Sequence, residues 1–210
     1  MKSEQYIKAV LYVAVFGWAG VLLVSGQKLT SAELKPFSTV TSIVVFVSVA
    51  FDLWLWKIPL LHDWLVKRPV ISGTWKVEIR SNWKDPVTGA GIQPAEGFMV
   101  VRQTFSTLSL RILTAESISE LVGTEIVCSA DGLYCVSGVY RNEPQYEVRG
   151  RSPIHYGAVW LKIVDEPTGK RMLGHYWTDR GTAGALDLSK QQSTKFQTFH
   201  SAQAYYARLP

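Results

Sequence analysis

One short run of this chain gathers the groups that could hold a nucleotide: Gly174-His175-Tyr176-Trp177-Thr178-Asp179-Arg180-Gly181-Thr182-Ala183-Gly184. On an extended strand alternate residues share a face, so Tyr176, Thr178 and Arg180 point the same way and Thr182 follows in step. An aromatic ring, hydroxyls and a guanidinium supply a stacking surface for a base, hydrogen bonds for a sugar and a fork for a phosphate. A second run, Tyr140-Arg141-Asn142-Glu143-Pro144, again sets a ring beside an arginine, and Trp75 adds another aromatic. The candidate ligand contacts are therefore Trp75, Tyr140, Arg141, Asn142, Tyr176, Thr178, Arg180 and Thr182. A plainer reading stays open: Tyr176 and Trp177 as core and rim of a β fold, with Arg180 paired at the surface to Asp179 or a neighbour.

Groups for covalent or metal chemistry are sparse. There is no G-x-S-x-G, H-E-x-x-H, C-x-x-C, phosphate-loop or dinucleotide fingerprint. His62, His155, His175 and His200 share no metal-ligand spacing. Ser-x-x-Lys occurs at Ser25/Lys28 and Ser81/Lys84 without the companion motifs of acylating enzymes. The expectation is a binding protein with no catalytic residues, no metal and no cofactor. Cys128 and Cys135 flank the turn signal Ser129-Ala130-Asp131-Gly132 and read as a reduced pair able to face one another across two strands.

These side chains need a scaffold, and the texture after Pro69 supplies one. Trp75, Val77 and Ile79 alternate with Lys76, Glu78 and Arg80, the period of a half-buried strand. Similar runs fall at about 97–105, 107–113, 119–128, 133–141, 154–164, 172–179 and 184–189. Asp131-Gly132 suits a two-residue hairpin, and Pro167-Thr168-Gly169-Lys170 a slightly longer one. Residues 85–91 read as a loop, 142–153 as a segment whose two prolines break pairing, and 194–208 as a short closing helix. Eight sequential strands without crossover helices predict an all-β domain over 69–210. An eight-stranded antiparallel up-and-down, lipocalin-like barrel is favoured because closure removes sheet edges.

Residues 1–68 are different. Residues 7–24 and 37–56 are apolar runs carrying one charge each, Lys8 and Asp52. Each has the length an α-helix needs to cross about 30 Å of hydrocarbon. Two transmembrane helices are expected. Lysines and arginines favour the terminal sides over the 25–36 loop, which predicts an inner-membrane protein with both termini cytoplasmic. Asp52 is read either as a carboxylate reaching the interface or Lys57, or as a helix-association or pore-lining group. The net charge of +5 is spread along the chain without a basic stripe, which argues against DNA or RNA as a partner.

Two membrane helices, then Ile71-Ser72-Gly73-Thr74-Trp75, Ser117-x-Ser119, Tyr140-x-Asn142-x-Pro144 and Gly174-x-Tyr176-Trp177-Thr178-Asp179-Arg180-x-Thr182-x-Gly184, resemble a bacterial anti-phage family. This is the SMODS-associated effector of CBASS defence with two membrane helices and a β-rich sensing domain. The likeness spans the chain in architecture, and the Gly-x-Tyr-Trp-Thr-Asp-Arg run is its most specific motif. It implies a barrel that binds a cyclic dinucleotide made by a cognate nucleotidyltransferase. It further implies homo-oligomerisation within the lipid bilayer and membrane disruption that kills the infected cell. Two rivals remain at this stage: a membrane-tethered carrier or sensor of an apolar ligand, and a membrane-anchored hydrolase.

Overall fold

Strict alternation becomes strand along nearly all of the second part. The computed structural model describes residues 11–12, 14–20, 24, 31–62, 66–85, 87–167 and 169–209, with backbone alone for 31–40 and 62. The strands are β1 (Gly73–Ser81), β2 (Ala95–Gln103), β3 (Leu108–Thr114), β4 (Ser117–Cys128), β5 (Tyr134–Pro144), β6 (His155–Glu166), β7 (Gly169–Thr178) and β8 (Ala183–Gln192). Each pairs antiparallel with the next, and β8 pairs back with β1 to close the barrel. The expected runs differ from these strands by at most a few residues at each end.

Local chemistry explains most of the differences. Pro144 does not interrupt pairing but ends β5 opposite Ser117, where a missing N–H costs the ladder little. Asp131-Gly132 lies inside a longer link, because Ser129 N–H already closes on the Leu133 carbonyl (2.8 Å) and Gly132 takes φ 84°. The β6–β7 link is tighter than expected, with Glu166 paired to Gly169. Cys128 and Cys135 are free and do not oppose one another: Cys128 pairs with Tyr134 and Cys135 with Val127.

Inward positions fill one end of the lumen. Trp75, Met99, Val101, Leu110, Leu161, Met172 and Leu188 belong to a single buried cluster. Each such side chain contributes about 1.5–3 kcal/mol on burial. The same end is fastened by polar links: Trp75 Nε1–H donates to the Ile71 carbonyl (2.9 Å), Ile71 N–H to Gln103 Oε1 (2.9 Å), and Gln103 Nε2–H to the Pro69 carbonyl (2.9 Å). Outside the barrel, helix Phe199–Tyr206 packs Phe199, Ala202 and Tyr206 against Phe98, Val100 and Leu113 of β2 and β3. Thr198 caps its N-terminus by accepting from Ser201 N–H. Tyr206 Oη–H donates to the Thr74 carbonyl (2.6 Å).

The chain divides into two units. One is Met1–Arg68 with Thr104–Thr107; the other is the remainder. In the first, helix Ser31–Leu53 is followed by a 3₁₀ turn at Leu55–Lys57 and a single helical turn at Pro59–His62. Among the described residues no helix is long and apolar enough to cross a membrane. The expected span 7–24 falls partly outside the described residues, and 37–56 begins on residues whose side chains are outside them. Asp52 turns toward the Thr104–Thr107 segment. It is 5% exposed, its Oδ1 accepts from Ser106 N–H (2.8 Å), and its carbonyl accepts from Phe105 N–H (2.9 Å). Lys57 instead lies over the Trp56 ring, 5.4 Å from the centroid. Phe105 sets its ring edge-on to Phe51 (5.1 Å), and its carbonyl accepts from Arg68.

Candidate ligand-binding pocket

At the other end the lumen is open, where the β1–β2, β3–β4, β5–β6 and β7–β8 connections gather. A cavity of about 390 Å³ sits there, large enough for one small ligand. Its floor is apolar, made by Ile79, Ile112, Val159 and Leu186. Above the floor the walls are mostly polar, and the rim carries Arg151, Arg180 and Glu116 beside the exposed Trp83 and Ile92.

Six of the eight anticipated residues line this cavity: Tyr140, Asn142, Tyr176, Thr178, Arg180 and Thr182. Tyr140 and Asn142 are two apart on β5, and Tyr176 and Thr178 two apart on β7, so both strands turn these pairs inward. The β7–β8 turn carries Arg180, with Thr178 Oγ1 against Thr182 Oγ1 (2.7 Å). Arg180 is not paired with Asp179. Its Nη1–H donates to Ser152 Oγ (3.3 Å), while Asp179 Oδ2 accepts from Tyr156 N–H (3.1 Å). Trp177 points outward, 47% exposed, its ring 5.7 Å from that of His175.

Two anticipated residues are not in the cavity. Arg141 lies between inward Tyr140 and Asn142 and must face outward, where it pairs with Glu143 Oε2 (2.9 Å). Trp75 faces inward but at the packed end, fully buried.

Both pocket tyrosines rest on glycine. Tyr140 pairs with Gly157 and Tyr176 with Gly184. A Cβ on Gly157 would collide with the Tyr140 ring, and one on Gly184 would come within 2.6 Å of Tyr176 Cε1. The missing side chains let both rings lie flat against the neighbouring strand. Burial raises the Tyr140 hydroxyl well above the usual tyrosine range; neighbouring Tyr176 adds to this and Arg180 opposes it. The phenol is therefore neutral at physiological pH and able to donate a hydrogen bond.

A polar row crosses three adjacent strands. Ser119 pairs with Asn142 and Asn142 with His155, and all three are buried and line the cavity. Ser119 Oγ–H donates to Asn142 Oδ1 (2.7 Å), which leaves the amide N–H groups for a ligand. His155 Nδ1 lies 3.0 Å from the Pro153 carbonyl. A carbonyl only accepts, so Nδ1 carries a proton. Among the described residues no cluster of ligating side chains could hold a metal ion.

Sequence reasoning missed His155, Arg151, Ser152 and Glu116. The signal for Arg151 and Ser152 was the segment after Pro144, read without pairing, which returns the chain to the same end of the barrel as Tyr140 and Thr178. His155 lay in an expected strand and Glu116 in the link between two expected strands, and neither was singled out.

A closed barrel with an apolar floor, polar walls and an arginine rim defines a small-ligand receptor rather than a solid-cored barrel. Residues 66–190 match the family described as Cap15, cyclic dinucleotide receptor domain, and the chain belongs to this family. No match was found among curated proteins.

Proposed function

We propose that this chain is a membrane effector of a CBASS-type anti-phage system, gated by a cyclic dinucleotide held in the open end of its barrel. The observation that carries the reading is the convergence of Tyr140, Tyr176, Asn142 and Arg180 on one cavity in a chain of the Cap15 receptor family. The rings offer faces for bases, Asn142 and the threonines offer hydrogen bonds, and the rim guanidinium meets phosphate near solvent. Phosphates at the rim stay partly hydrated while bases enter the apolar end, which avoids burying charge without a partner.

The ligand comes from a cognate nucleotidyltransferase, and binding favours an assembled state of the effector. Apolar stretches 7–24 and 37–56 then act on the inner membrane, with both termini in the cytoplasm. Two such helices per chain cannot enclose a pore, so disruption requires a homo-oligomer. An apolar-ligand carrier fits less well, since a lipid tail has no use for the polar row or the guanidiniums.

Co-expression with an active cyclic-dinucleotide synthase tests the scheme. The full chain is expected to depolarise the inner membrane only when the synthase is active, and removal of residues 1–56 is expected to abolish the damage. Depolarisation without the synthase, or with residues 1–56 removed, would refute it.

A further inference from the structure

The two guanidinium groups at the cavity rim are not in the same state. Arg180 donates to the neutral hydroxyl of Ser152 (3.3 Å), whereas Arg151 is ion-paired to Glu116. All four residues line the one cavity. Glu116 lies in the β3–β4 turn, whose backbone is fixed independently: Gln145 N–H donates to the Glu116 carbonyl (2.8 Å) and Gln145 Nε2–H to the Ala115 carbonyl (2.9 Å). The Glu116 carboxylate is therefore free to change partner without the turn unfolding. Both members of the pair are largely in water, at 66% and 55% side-chain exposure. An exposed pair of this kind is worth little, so a better anion at Arg151 can displace the carboxylate.

We infer that Glu116 is a built-in competitor for the second phosphate of the ligand. In the empty pocket it neutralises Arg151. When a two-phosphate ligand enters, Arg180 takes one phosphate and Arg151 leaves Glu116 to take the other. Two guanidiniums then match two phosphodiester charges, each able to form a forked, charge-assisted contact. A ligand with one phosphate is satisfied at Arg180 and leaves the Arg151–Glu116 pair closed. Arg151 thus favours cyclic dinucleotides over mononucleotides, and Glu116 tempers that preference while neutralising the guanidinium when no second phosphate is present. This inference rests on the pocket being a cyclic-dinucleotide site and adds a role for two residues that reading does not need.

A carboxylate in such a pocket has one other use, accepting hydrogen bonds from the amino edge of a base. The two roles predict opposite signs. Calorimetry on the purified full chain, with cyclic di-GMP, cyclic di-AMP and cyclic di-UMP as probes, separates them. Glu116→Gln is expected to bind the recognised probe about 1.5-fold to fivefold more tightly, the range that loss of one exposed ion pair corresponds to. Arg151→Ala is expected to weaken binding about tenfold or more. Unchanged or weaker binding by Glu116→Gln, in a protein whose circular dichroism is unaltered, would overturn the competitor role and leave the site reading intact. If neither the parent nor the variant binds any probe, the cyclic-dinucleotide reading fails and this inference with it.

Discussion

Tyr140 and Tyr176 owe their place in the pocket to residues that touch no ligand. Each ring lies across a glycine of the neighbouring strand, so the glycines set how deep the aromatic faces sit. Gly157→Ala would drive a methyl group into the Tyr140 ring and the Trp177 carbonyl. Thermal denaturation should show a loss of about 1–3 kcal/mol, with weaker ligand binding even though no polar group is altered. Burial also keeps the hydroxyls of Tyr140 and Tyr206 protonated to higher pH than free tyrosine. An unfolded chain ionises these groups near pH 10, whereas the fold retains their protons. Stability is thus unaffected below about pH 10 and falls above it, as the unfolded state alone gives up protons. Denaturant titrations from about pH 9 to pH 11 should show this decline, and Tyr140→Phe with Tyr206→Phe should flatten it. An equally steep decline in the double variant would contradict the assignment.

At the scale of elements, the clearest dependence is that of the Thr104–Thr107 turn on Asp52. A carboxylate from helix Ser31–Leu53 accepts the Ser106 N–H, and Thr104 Oγ1 lies 3.4 Å from the same oxygen. Asp52→Ala should leave a part-buried N–H without its acceptor, at about 0.5–1.5 kcal/mol, and speed hydrogen exchange at Ser106. Asp52→Asn, which keeps an accepting oxygen, should do so less. This contact illustrates what the sequence could not disclose, for its partners are 54 residues apart. The strands themselves were legible, because alternation is local and leaves its period in the order of residues. Facing followed the same rule where it was applied: Tyr176 and Thr178 both turn inward, whereas the run Tyr140-Arg141-Asn142 was chosen without it. Arg141 was misplaced because it was chosen for its neighbours rather than by that period. Trp75 was misplaced for another reason: facing is local, but depth along the lumen depends on the register around the whole closed barrel. His155 became legible only once β5 was paired to β6, which sets it beside Asn142.

For the whole molecule, the chain passes between its two units at Arg68/Pro69 and again on either side of Thr104–Thr107. Residues 69–210 carry the complete pocket and should bind ligand when excised, with affinity near that of the full chain. The excised barrel lacks Asp52, so its 104–107 turn should be cleaved by protease faster than in the full chain. In membranes, cross-linking should yield larger oligomers with ligand than without, since the proposed damage needs several copies. The most direct test of the account is calorimetry of the purified chain against a panel of cyclic dinucleotides, repeated with Arg180→Ala. The account predicts that one member of the panel binds and that the substitution removes a charge-assisted contact of about 1.5–3 kcal/mol, roughly tenfold to more than a hundredfold in affinity. A properly folded chain that binds none of them would contradict the central claim.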